Sequence, residues 1–274
     1  MPKMPTWWRS DAPHWSGRTT AIIALLAFFA GTAVGVTALS RSPASPSTTA
    51  AGTPSLRPSP PAQPDSTSTE LCSDDSEADV ADGWGPDRPT YHDDTFPTAL
   101  TFNSTSDSAV NGDERNFTAV KPASEANGGG WSDSVEVHNN QEYLVRIFVR
   151  LDGPEAYDAK KTTLVVNLPT CTGHRVGLTA ILSSLDAFPS EVWDGASFWS
   201  RSDFNLALVP DSGVLYGNAW PRTAKGQLGL PYPVGDLVTS KGIPLGSERL
   251  DGVFKPGYAH TVYVTFKVRA QVAE

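Results

Sequence analysis

The stretch EYLVRIFVRL at residues 142–151 decides the fold class. Tyr143, Val145, Ile147, Val149 and Leu151 share one face of an extended chain, and Arg146 and Arg150 fall on the other. A period of two held over this length is a strand with one buried face. Just upstream, SVEV at 134–137 alternates as well. Asn139 and Asn140 tolerate left-handed backbone, so the two stretches predict a hairpin. The last segment, 260–270, repeats the pattern. Val262, Val264, Phe266 and Val268 point one way, while Tyr263, Thr265, Lys267 and Arg269 point the other.

Working outward, further strands are predicted at 98–103, 115–121, 162–168, 175–183, 196–200, 204–209 and 213–216. Turn residues punctuate them: Asn111-Gly112, Asp152-Gly153-Pro154 and Asp211-Ser212-Gly213. Many short strands without a helical stretch predict an all-β chain, an antiparallel β-sandwich over 95–274. That span exceeds the roughly 100 residues of an immunoglobulin domain. The sandwich is therefore immunoglobulin-like with a long insertion near 217–257, or enlarged by extra strands.

The remainder of the chain reads differently. Thr19 to Ser40 is a run of 22 residues without a charge. As a helix it would extend roughly 33 Å, enough to cross a bilayer. Lys3, Arg9 and Arg18 precede it, so the positive-inside rule puts the N-terminus in the cytoplasm. Residues 1–18 then form a basic cytoplasmic end, 19–41 a transmembrane signal anchor, and everything beyond lies outside the cell. A signal peptide cleaved near Val36-Thr37-Ala38, giving a secreted protein, is the alternative.

Residues 42–70 hold seven prolines, seven serines and five threonines with a single leucine and no aromatic residue. Nothing there offsets the entropy of ordering, and the proline density favours an extended spacer. Residues 70–94 carry nine acids against Arg88 alone. The span 42–94 is therefore read as a disordered linker, first Pro/Ser/Thr-rich and then acidic.

The net charge of -9 excludes a protein whose main partner is nucleic acid, which requires a basic face. The chain lacks G-x-S-x-G, H-E-x-x-H, C-x-x-C and a Walker loop. Its five histidines lie more than ten residues apart. No catalytic, cofactor or metal-binding residue is therefore assigned, and the expectation is a protein that is not an enzyme. Asp113 and Glu114 beside Arg115 read as turn-surface charges. Cys72 and Cys171 are the only cysteines. Outside the cell they would pair into one disulfide, or stay as two thiols if the acidic connector is unordered. Trp193, Trp199 and Trp220 are candidate platforms for stacking on sugar rings.

Four segments carry a resemblance: GDERNF (112–117), WSDSVEV (131–137), VWDGASFWS (192–200) and GYAHTVYVTFKVRA (257–270). Together they resemble a β-sandwich module, of no established activity, in anchored or secreted actinobacterial cell-surface proteins. The resemblance implies a location and a fold, and no catalytic residue. The expected function is a membrane-tethered extracellular β-sandwich with a structural or interaction role at the cell surface. Its partners would be the membrane, through the N-terminal helix, and a cell-wall glycan or another surface protein. A carbohydrate- or cell-wall-binding module and a membrane-anchored hydrolase are the alternatives.

Overall fold

The structure, a computed structural model, describes residues 72, 83–92, 95, 97–109, 111–219 and 229–272. The expected cytoplasmic end and anchor, most of the expected linker, and Trp220 lie outside the described residues.

The described chain is mostly antiparallel β-sheet, built from thirteen strands. These are β1 (Trp84–Gly85), β2 (Thr101–Phe102), β3 (Thr118–Pro122), β4 (Ser134–Glu136), β5 (Glu142–Val149), β6 (Leu151–Asp152) and β7 (Thr163–Asn167). They continue with β8 (Gly173–Ser183), β9 (Glu191–Leu208), β10 (Val214–Gly217), β11 (Leu230–Pro231), β12 (Ile243–Pro244) and β13 (Val262–Val272). One short helix, α1 (Val234–Leu237), sits in the stretch 217–257 expected as an insertion. Val234 and Leu237, three positions apart, share a face and are buried.

Pairing centres on β13. One of its edges pairs with β5, from Val262↔Val149 to Arg269↔Glu142. The other edge is shared by β10 at Val262–Thr265 and by β9 at Val268–Val272. Between them residues 209–213 leave the ladder, and Asp211 takes a positive φ of 55° there. The ladder is kept whole by a side chain: the Lys267 amide donates to Ser212 Oγ at 3.0 Å. The stretches expected at 196–200 and 204–209 are one strand, β9, because its first half pairs with β8 and its last residues with β13. β7 and β12 extend the sheet beyond β8. A circuit of pairings, β3–β5–β13–β9–β4, closes back onto β3 through Val120↔Ser132.

The hairpin expected between 134–137 and β5 does not form. β4 pairs in parallel with β9, through Ser134↔Ser197 and Glu136↔Trp199. Both edges of β5 are already taken, by β3 and β13, so β4 has no edge of β5 to join. Asn140 does take a left-handed φ of 61°, and the Tyr143 hydroxyl bridges the turn, accepting from the His138 amide and donating to the Glu136 carbonyl.

Tyr143, Val145, Ile147, Val149, Val264 and Phe266 are fully buried. Burial of that much apolar area is the main stabilising term. Arg150, expected on the outer face of β5, is also buried. The chain on either side of Glu114 bonds along the end of β5: the Asn103 amide donates to the Arg150 carbonyl and the Phe148 amide to the Phe117 carbonyl. Asn103, with φ 47°, hydrogen-bonds the edge of β5 with its side chain: Oδ1 accepts from the Arg150 amide and Nδ2 donates to the Phe148 carbonyl, both at 2.8 Å.

The domain begins earlier than residue 95. β1 pairs with β9 through Trp84↔Asp194 and Gly85↔Trp193, and the Gly195 amide donates to the Gly83 carbonyl. A Cβ on Gly85 would lie 2.6 Å from the Trp193 ring, so only glycine lets that ring lie across the strand. Upstream again, Cys72 is disulfide-bonded to Cys171, with Cα atoms 4.8 Å apart, and its amide donates to the Thr172 carbonyl.

Candidate docking surface

Of the sequence-selected aromatic residues, Trp193 and Trp199 do not meet. Trp193 is half-buried against Gly85, and Trp199 is 41% exposed while its neighbour Phe198 is fully buried, as alternation requires. Both tryptophans lie on one face of β9, but six residues of strand separate them by roughly 20 Å. One sugar ring cannot span that distance. Trp131 is engaged by cations instead: Lys121 Nζ lies 4.7 Å and the Arg146 guanidinium 4.4 Å from its ring centre. Trp84 carries the Arg115 guanidinium 4.0 Å above its ring.

The buried titratable groups form a structural network. Glu114, expected on a turn surface, is fully buried, with its amide bonded to the Thr105 carbonyl and its carboxylate turned onto Arg150. Arg150 Nη1 donates to Glu114 Oε1 at 3.2 Å, and Arg150 Nε lies 2.8 Å from Asp152 Oδ1. Ser104 and Thr105 hydroxyls donate to Asp152 Oδ2. Among the described residues Glu114 Oε2 has no hydrogen-bond partner. Burial pushes the Glu114 carboxyl up to about 7, against the pull of Arg150. Asp194 is buried on β9 and accepts from the amides of Phe117 and Thr118, which ties β3 to β9. Burial pushes it up to about 8, opposed by those amides and that of Gly195. Asp113 stays at the surface, held by Arg115 at 2.6 Å.

A groove of about 510 Å³ lies where β3 and β13 end and β5 begins, lined by Ser124, Asn140, Gln141, Glu142, Lys267 and Arg269. Its charges satisfy one another: Glu142 receives Arg269 Nη2 at 2.6 Å and Lys267 Nζ at 3.1 Å. These two cations hold the Glu142 carboxyl below the usual carboxylate range. Among the described residues no group of His, Cys, Asp or Glu has a metal-binding arrangement.

The opposite end of the sheet is different. Leu185 is 79% exposed, Phe188 67%, Tyr157 64% and Tyr258 53%. They sit on loops that are hydrogen-bonded into one surface. The Phe188 amide donates to the Leu100 carbonyl, and Ser184 Oγ to the Lys160 carbonyl. The Lys160 amide donates to Asp186 Oδ2, and the Gly257 amide to the Leu151 carbonyl. Leu151 pairs with Phe102, next to Thr101, in the same cluster. Four of the six exposed large hydrophobic side chains among the described residues thus share one pole. β8 runs from the disulfide to this pole: Gly173 packs against Cys72, and Ser183 leads into the loop of Leu185 and Phe188. Its eleven residues put roughly 33 Å between the two ends.

Sequence reasoning passed over these four residues because each lies outside the strands. The available signal was the turn itself: Leu185-Asp186-Ala187-Phe188 is apolar where a hairpin tip is ordinarily polar. Comparison with family models, with curated proteins and with solved structures returns no match.

Proposed function

We propose that the protein is a membrane-tethered extracellular module that works by docking and carries no reaction of its own. The observation behind this reading is the polar separation of its β-domain. The N-terminal segment joins at the Cys72–Cys171 disulfide, and the exposed apolar side chains stand at the far end of β8. Contiguous exposed apolar surface is the ordinary mark of an interaction site. The sequence supports the tether: an uncharged run at 19–40 with basic residues before it, then a spacer that would reach roughly 90 Å if fully stretched. The fold that accompanies this reading is the expected antiparallel β-sandwich, enlarged by extra strands.

Among the described residues no helix is long and apolar enough to cross a membrane, and the 19–40 run lies outside them. The test is protease accessibility on intact cells. Added protease is expected to remove the chain beyond about residue 42 and to leave the 19–40 segment protected. A β-domain that is cleaved only after lysis would refute the proposal.

A further inference from the structure

We infer that Asn127 is a self-modification site, where the side-chain amide is lost to attack by the Gly128 nitrogen and Lys121 promotes the step. The inference goes beyond the docking reading and does not depend on it. The chain holds two Asn-Gly pairs, 111–112 and 127–128. Glycine has no Cβ to keep its nitrogen away from the preceding side chain, so both pairs carry the reactive dipeptide. The fold treats them oppositely.

At 127–128 the reacting groups are open while the loop around them is held. The Asn127 side chain is exposed, and among the described residues the Gly128 amide has no acceptor. Val120 and Ser132 exchange both backbone hydrogen bonds at the base of the loop, and Trp131 Nε1 donates to the Gly128 carbonyl at 3.1 Å. Lys121 Nζ donates to the Asn127 carbonyl at 2.6 Å and to the Gly129 carbonyl at 3.2 Å. The Asn127 carbonyl belongs to the same peptide unit as the Gly128 nitrogen. When that nitrogen loses its proton, the negative charge is shared with this oxygen, where the ammonium of a buried lysine already stands. At 111–112 both groups are engaged. The Gly112 amide donates to the Ser108 carbonyl at 2.8 Å, and half-buried Asn111 accepts from Arg146 Nη2 at 3.5 Å. Attack there must first break the Gly112 hydrogen bond and free the side chain.

The step needs only water. Water takes the Gly128 amide proton, and the nitrogen bonds to Asn127 Cγ. The Cγ–Nδ2 bond breaks, and Nδ2 leaves as ammonia with a proton returned from water. A second water opens the five-membered imide at one of its two carbonyls, leaving aspartate or isoaspartate. One water is consumed, one ammonia is released, and nothing is oxidised or reduced. Either product adds a carboxylate beside Lys121. The isoaspartyl form also runs the main chain through Cβ, which lengthens the loop by one carbon and shifts the carbonyl that Lys121 holds.

The test incubates the full chain, disulfide intact and in mild detergent, in a mildly alkaline buffer. The amide-to-acid mass change is followed at each asparagine by peptide mass spectrometry. In the folded chain Asn127 should convert at least about tenfold faster than Asn111, the size expected when a charge-assisted hydrogen bond acts in the transition state. In concentrated urea the two rates should converge, with Asn127 slowing and Asn111 quickening. Lys121→Met should slow Asn127 by at least about fivefold, and Lys121→Arg, which keeps a cation at the carbonyl, should restore most of the rate. Equal rates at the two pairs in the folded chain overturn the inference. So does a gap that persists in urea, which would place the preference in the local sequence. An Asn127 rate that does not fall in urea, or a Lys121→Met chain as fast as the parent, overturns the part given to Lys121; the urea comparison needs no variant to fold. None of these outcomes bears on the docking reading.

Discussion

Replacing Arg150 by methionine tests the buried ion network, and its effect should depend on pH. Arg150 lies between Glu114 and Asp152, and all three are buried. Removing the cation leaves two carboxyl groups facing each other in the interior. Breaking a buried pair in this way costs about 3–5 kcal/mol. Protonation of Glu114 sets the pH dependence. Its folded-state value is raised from 4.5 to about 7, so between those values the folded chain holds a proton that the unfolded chain has lost. That contribution is fully present below about 4.5 and disappears as pH rises through about 7. The size of the shift makes it about 3 kcal/mol as an order of magnitude. At pH 8 Arg150→Met takes the cation away from Glu114 in the range where the parent holds it ionised, and the carboxyl must stay charged without its partner or take up a proton. At pH 5.5 Glu114 already holds its proton and loses no ion pair, while Asp152 keeps the Ser104 and Thr105 hydroxyls. Urea denaturation of a fragment beginning near residue 66, with the disulfide intact, measures the cost at both values. The cost at pH 5.5 should be smaller by about 1–2 kcal/mol. Adding Glu114→Gln should remove most of the difference. An equal cost at both pH values, or no recovery with Glu114→Gln, would refute the reasoning.

Ile147→Ala, at a fully buried position on β5, should lower stability by about 2–5 kcal/mol in chemical denaturation, and a change under 1 kcal/mol would mean the site is not core. Replacing Cys72 and Cys171 together by serine opens a loop of 99 residues, for which the chain-entropy account gives roughly 4.7 kcal/mol. Denaturation that is indifferent to reductant would count against a closed loop of that size. Gly85→Val puts a side chain where the Trp193 ring lies and should release β1, seen as faster hydrogen exchange at the Gly195 amide, which bonds to Gly83. Exchange unchanged from the parent would contradict the packing of Trp193 on Gly85.

Strand identity was legible wherever one face is buried, as in 142–149 and 262–268, because alternation is local and a strand turns each side chain over in order. The all-β class and most strand positions follow from that. The two cysteines could be read as a candidate pair by counting alone. Their distance could not, since it depends on how the chain between them folds over a sequence separation of 99.

What the tertiary structure decided is which edges meet and which polar positions end up inside. β4 looked like the partner of β5 by proximity, yet joined β9 because both edges of β5 were occupied. Arg150 looks like a surface charge by period two and Glu114 like a turn charge, and both are buried where they meet each other and Asp152. β1 was hidden in an acidic stretch, and its place depends on a glycine meeting a tryptophan more than 100 residues away. Tyr157, Leu185, Phe188 and Tyr258 are unremarkable singly and form a surface only because four loops are bonded at one pole. Periodicity reports what each residue requires of its own backbone. Edge occupancy, second-face coverage and loop clustering are relations between segments far apart in the chain, and no local pattern encodes them.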